Sequence, residues 1–282
     1  MPRKKKSTVI SSARRLLRVD DRGVAYIDGG EFEFAVFIPS RQRTELIEGN
    51  PLLQVANVLV HESEVEAYSQ AVGEHAAAVI GHDCQCMGQI MNRILDLGFG
   101  NERCRCSIRV DDDWGGLRWM FTRAQHWNET DPERLLHTIW AGIVLAHDVG
   151  AGLFGFNWTP KPWGRTALQP FLLRNPVQGN FLAVCDRDLR VHADLTSDED
   201  SDTNLMALSR TSLIVTDQRW WNVDRGEGMG RMAGGMAGVR TDAEQVANLR
   251  RLEAYWPGVV HVNWEDGKSA YGMYTQTWTY DK

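Results

Sequence analysis

No stretch of this chain approaches about eighteen uninterrupted apolar residues, so the sequence predicts no membrane-crossing helix and no membrane partner. Cysteine is scarce. Cys84, Cys86, Cys104, Cys106 and Cys185 are odd in number and too irregularly spaced for a disulfide framework, which points to a reducing compartment. The basic N-terminus lacks a following apolar segment, so a secretory signal is not expected. No Gly-x-Ser-x-Gly elbow appears, which leaves no serine nucleophile to name. No regular β-α-β alternation and no internal repeat is legible. Acidic residues are missing from the first eighteen positions, although the whole chain carries 37 Asp and Glu against 31 Lys and Arg.

What is present begins with that N-terminus. Arg3, Lys4, Lys5, Lys6, Arg14, Arg15 and Arg18 make it strongly cationic. Without them 24 basic residues face 37 acidic ones, so a short positive arm precedes an anionic body. A polybasic arm is a counterion for phosphate, and these seven residues are the candidate nucleic-acid contacts. Such a run meets backbone rather than base edges, so the expected binding is sequence-independent. A solubilising or targeting tail explains the same charges, and the Pro-Arg-Lys-Lys-Lys run also resembles a nuclear-localisation signal.

Periodicity divides the rest. Residues 24–38 read as a hairpin around Asp28-Gly29-Gly30. Helices are expected over 63–80, 86–97, 132–147 and 242–256, the last two opened by Thr130-Asp131-Pro132-Glu133 and Thr241-Asp242-Ala243-Glu244. Short strands are expected at 107–110 and 117–122, around an Asp111-Asp112-Asp113-Trp114-Gly115-Gly116 turn. Others fall at 181–185, 189–193, 212–216, 259–264 and 271–280. The expectation is an α+β fold with mainly antiparallel strands and three or four helices. The strand count admits a jelly-roll-like sandwich. Residues 1–20 would be a flexible arm and residues 21–282 a single body.

Four further constellations carry chemistry. Cys84, Cys86, Cys104 and Cys106 could hold zinc, although two-residue spacing is the usual knuckle and ordinary buried thiols fit as well. The acids Asp194, Asp198, Glu199, Asp200 and Asp202 imitate the opening of a calcium loop, but Thr203 and Ser209 stand where such a loop needs Gly and Glu. A solvated acidic loop is the plain alternative. The run from Arg225 to Arg240 is rich in Gly and Met but lacks a Walker ending, so a loop ordered at a subunit contact is expected.

The segment Ile143–Gly150, containing His147-Asp148, resembles the central motif of HD-domain phosphohydrolases. That resemblance implies a divalent metal on His147 and Asp148, with His126 or His137 and a later Asp186, Asp188 or Asp194 as partners. The chain departs from the pattern at Ala151, where the family has Lys.

A basic arm on a strand-rich body is also the layout of many small-virus capsid proteins. The leading expectation is therefore a self-assembling, non-enzymatic structural protein that binds nucleic acid, with no required cofactor. It would be a capsid or nucleocapsid subunit found in the virion, or otherwise cytoplasmic or nuclear. The alternatives are the HD-type phosphohydrolase and a nuclear or nucleoid regulatory binding module.

Overall fold

A computed structural model describes residues 16–120, 126–157, 170–177, 180–225, 241–262 and 276–278 of the chain. The chain enters through β1 (Leu17–Val19) and β2 (Ala25–Asp28), then turns into β3 (Glu33–Pro39). The β2–β3 hairpin pairs Ile27 with Phe34, as the sequence predicts, and Gly30 takes φ 94° in its turn.

A short helix α1 (Thr44–Ile47) leads to β4 (Ala56–His61). Helix α2 (Val65–Val72) and β5 (Ala78–His82) follow. Then come α3 (Met87–Phe99), β6 (Cys104–Val110), β7 (Trp114–Met120) and β8 (His126–Glu129). Helix α4 (Pro132–Asp148) starts where Asp131 accepts the Arg134 amide and Pro132 needs no donor. Next are β9 (Leu153–Asn157), β10 (Phe171–Leu173) and β11 (Phe181–Val184). Helix α5 (Glu199–Thr211), β12 (Ile214–Asp224), α6 (Asp242–Tyr255), β13 (Val260–Val262) and β14 (Gln276–Trp278) complete the described chain.

Strands β1 to β12 form one mixed sheet, and β13 pairs with β14 apart from it. Strands β5, β4, β3 and β6 lie side by side and all run parallel. Strand β2 pairs with the first residues of β3, and β4 pairs with its last four on the same edge. Buried Asn57 bridges that junction, exchanging hydrogen bonds with Ala25 N and O and donating to Val36 O.

Both faces of the sheet are covered. Along β3, Val36 and Ile38 join a core under α2 and α4, with Tyr68, Val72, Ile139 and Ile143. Ala35 and Phe37 join the opposite core, under Ile94 and Leu97 of α3. Helix α5 extends that second layer through Ala207 and Leu208, against Leu153, Leu182 and Ile214.

This helix–sheet–helix arrangement corrects the expected fold. The chain is not a mainly antiparallel, jelly-roll-like sandwich decorated by three or four helices. Among the described residues it has a twelve-stranded mixed sheet with helices packed on both its faces, and six α-helices in all. The physical reason lies in β4 and β9. Strands buried on both faces are apolar throughout and lose the alternation that marks a half-exposed strand. Residues 78–80, in the short apolar edge strand β5, read as the end of a helix expected over 63–80 that in fact ends at Gly73.

The order of the parallel strands places the site. From β3 the chain steps outward to β4 and β5, then returns through α3 to β6 on the other flank of β3. The loops after β3 and β6 thus meet at the carboxyl edge where the strand order reverses, the crevice position of an open α/β sheet. Open α/β sheets bind ligands at such a switch point.

Candidate active site

Ser40 follows β3 directly, and Asp111-Asp112-Asp113 follows β6 directly. The two loops are stitched across the crevice. Ser40 Oγ donates to Asp112 Oδ2 at 2.7 Å, and Arg43 Nη1 reaches Asp112 Oδ1 at 3.2 Å. The Tyr68 hydroxyl of α2 accepts the Arg43 amide at 2.9 Å and lies 2.8 Å from Ser40 Oγ. Asn50 Nδ2 donates to Asp111 O at 3.0 Å. Arg225, just past β12, donates its amide to Asp113 O and its guanidinium to Asp112 O and Leu46 O. Gly49 admits this side chain, because an ideal Cβ there would lie 1.8 Å from Arg225 Nη1.

The second wall is α5. Arg109 of β6 is buried and donates to Glu199 Oε1 at 2.7 Å and to Asp111 Oδ1. Burial alone would lower its pKa, but Asp111, Glu199 and Asp200 more than offset that and hold the guanidinium charged. Its Nε finds no acceptor among the described residues. Glu199, Asp200 and Asp202 fall in the first turn of α5, where the helix dipole favours negative charge. Glu199 is engaged by Arg109. Asp202 accepts from His192 N and Trp256 Nε1, each at 2.7 Å. Asp200 is half-buried at the same turn, its Oδ1 accepting the Ser201 amide.

Electrostatically the crevice is short of positive charge. Burial raises the Asp112 pKa against the opposing pull of Ser40 and Arg43. The Asp113 carboxyl is pushed up to about 6, by burial first and then by Asp111, Asp112 and Asp224. Asp224 is raised by desolvation and by Asp111. Burial and like charge acting together on carboxylates in this way concentrate at functional sites.

Of the residues singled out from the sequence, Glu199, Asp200 and Asp202 fall in the wall of the site and Arg225 beside it, while the others lie elsewhere or outside the described residues. Arg3, Lys4, Lys5, Lys6, Arg14 and Arg15 are outside. Arg18 sits in β1, with its guanidinium 2.6 Å from Glu33 Oε1. The run after Arg225 is outside as far as Arg240.

Cys86 donates to Ala193 O at 2.9 Å and Cys104 to Cys106 O at 3.3 Å, while the Cys106 and Cys185 sulfurs are 3.8 Å apart. Burial pushes Cys104 up to about 12 and also raises Cys84 and Cys106, which keeps these thiols protonated. Among the described residues, no three His, Cys, Asp or Glu groups converge on a metal position. His147 and Asp148 are exposed at the end of α4, 3.8 Å apart, and the His147 ring stacks on Phe32. Asp186 is paired with Arg210 instead of joining them.

Sequence reading treated Asp111–Asp113 as a turn and Asp200 as part of an acidic loop. Ser40, Arg43 and Arg109 were not singled out. A run of three acids directly after an apolar strand was the available signal, and only the order of the strands makes it meaningful.

Comparison with known proteins adds two findings. The model of the family described as TAGT, TET-Associated Glycosyltransferase, matches residues 34–226. The crystal structure of S. aureus TarS 1-349 resembles the chain at a TM-score of 0.41 and 13% identity, over 67% of this chain. The chain spans 59% of that structure's length. No curated protein matches.

Proposed function

Because the chain belongs to the TET-associated glycosyltransferase family, we propose that it moves a sugar from a nucleotide donor in the carboxyl-edge crevice to an acceptor hydroxyl. Membership makes the chain an enzyme and corrects the expectation of a non-enzymatic capsid or nucleocapsid subunit. It equally displaces the HD-type phosphohydrolase, the regulatory module and the nucleic-acid partner. The physical reason is plain. A cationic arm reports only an affinity for anions, whereas chemistry needs side chains that converge in space.

One observation carries the reading. Six carboxyl groups, from Asp111, Asp112, Asp113, Asp224, Glu199 and Asp200, and three guanidiniums, from Arg43, Arg109 and Arg225, gather at the switch point. All of them lie within the matched residues. Arg43 and Arg225 place positive charge where the donor's diphosphate would lie.

No three acids converge on a metal position among the described residues, but Asp113, lifted to about 6 by burial first and then by Asp111, Asp112 and Asp224, offers with Asp224 two hard oxygen donors that suit a divalent cation shared with the donor. Asp113 with Asp224 would hold it, and donor phosphate oxygens would supply further ligands. When bound, such an ion neutralises charge developing on the leaving diphosphate. In the reaction, the acceptor oxygen bonds to the anomeric carbon, and the bond from that carbon to the diphosphate oxygen breaks. The bonding pair leaves with the diphosphate. The acceptor proton passes to Asp200, which stands half-buried in the first turn of α5 near the Arg109 guanidinium.

The test is release of nucleoside diphosphate from a panel of nucleotide sugars. Asp200→Asn is expected to lower turnover by about 10²–10⁴-fold with donor affinity little changed. Asp113→Asn is expected to weaken donor binding. Wild-type turnover in Asp200→Asn would remove the base assignment, and failure of the native chain to bind any nucleotide sugar would overturn the reading.

A further inference from the structure

Helix α6 lies beyond the residues that define the family, yet it grips the turn from which α5 starts. Asn248 is fully buried on α6. Its Oδ1 accepts from Thr196 N at 2.9 Å, and its Nδ2 donates to Ser197 O and, at 3.0 Å, to Asp198 Oδ2. Gln245, one turn earlier, donates to the same Asp198 oxygen at 2.9 Å. Glu244 takes the Thr196 hydroxyl at 3.0 Å.

At the far end of α6, the Tyr255 ring stacks on His192 with centroids 3.7 Å apart, and Trp256 holds Asp202. The first turn of α5 is therefore held on both sides.

Asp198 shows what this grip does. It occupies the N-cap position of α5, where an aspartate ordinarily turns its carboxylate onto the first amides of the helix. Here the carboxylate makes no capping bond, and the backbone sits at φ 59° and ψ 19°. That left-handed conformation is costly for a residue with a Cβ, and strain of this kind persists only where the surroundings over-determine it. The amides of Asn248 and Gln245, together with the Ser197 hydroxyl at 3.1 Å, hold the carboxylate away from the helix. The direction in which α5 leaves this turn sets where Glu199 and Asp200 point.

We propose that Asn248 and Gln245 are positioning residues for glycosyl transfer: by holding Asp198 left-handed they aim the first turn of α5, and Asp200 with it, at the acceptor. The inference rests on the assignment of Asp200 as the base. In the proposed reading the donor is held by Arg43, Asp113, Asp224 and Arg225, from the loops after β3 and β6 and the end of β12, none of which lies on α6. The two substrates should therefore respond differently.

The experiment compares Asn248→Ala, Gln245→Ala and Asp200→Asn in the full chain, with turnover, donor affinity and melting temperature measured for each. Asn248→Ala is expected to lower kcat by about 10- to 100-fold, the scale of a misplaced group, with donor affinity unchanged. Gln245→Ala removes one donor to Asp198 and should lower kcat less, in the same pattern. It also serves as the test if Asn248→Ala does not fold. Wild-type kcat in a folded Asn248→Ala protein overturns the inference while leaving the base assignment intact if Asp200→Asn is inactive. A matched fall in kcat and donor affinity overturns it as well, since that marks a general structural role. Full activity in Asp200→Asn removes the base assignment itself and the inference with it.

Discussion

Asp113 is the residue on which the crevice's crowding of charge acts most visibly. Its carboxyl is lifted from an ordinary 3.8 to about 6, so between those values the folded chain holds a proton that the unfolded chain has released. Stability therefore falls as pH rises through this window, and the deficit is complete above it. Discounted for partial exposure, the deficit is about 1–2 kcal/mol. Asp113→Asn should leave stability unchanged near about pH 4 and raise it by that amount near about pH 7.5, measured as urea midpoints. An equal shift at both pH values would show that packing, not charge, is responsible. The same residue should weaken donor binding when neutralised, so stability and function oppose each other at one position.

At the scale of elements, the fold depends on close approach between α4 and the sheet. Gly142 faces β9 so tightly that an ideal Cβ would lie 2.0 Å from the Phe154 ring. Gly142→Ala is expected to destabilise by about 1–3 kcal/mol through overpacking, seen as a melting point several degrees lower. An unchanged melting point would mean that the helix can shift outward at little cost. Element boundaries were legible wherever chemistry is local. The capping aspartate and proline of α4, the β2–β3 turn and the start of α6 are all written in adjacent residues. Strands β4 and β9 were not legible, because their partners lie far away in sequence and burial on both faces erases their period, and the short apolar β5 does not stand apart from the helix before it. Residues 189–193 read as a strand, yet they form an irregular segment tied down by Asn92 and Asp202.

Across the whole molecule, ligand and fold are linked through the crevice. Loops from β3, β6, β12 and the start of α5 meet there, so a bound nucleotide would bridge segments distant in the chain. UDP or GDP with magnesium is expected to raise the melting temperature, with about 2.7 kcal/mol of added stability at a hundredfold excess over Kd. Chelation of the metal should remove most of that gain. No shift with any nucleoside diphosphate would count against the crevice as the donor site.

By itself the sequence determined the local units: the caps, the first hairpin, the apolar faces of α3 and α4, and a net charge of −6 with seven of its 31 Lys and Arg, and no acid, in the first eighteen residues. These follow from interactions between neighbours a few residues apart. Only the tertiary structure decided where chemistry is done. Ser40 and Asp112 are 72 positions apart, and Arg109 and Glu199 are 90 apart. The reversal of strand order at β3 brings the first pair together, and the packing of α5 beside β6 brings the second. No local pattern of residues encodes that reversal. Three aspartates after a strand remain an ordinary polar turn until the sheet places them beside Arg43, Arg225 and Asp200.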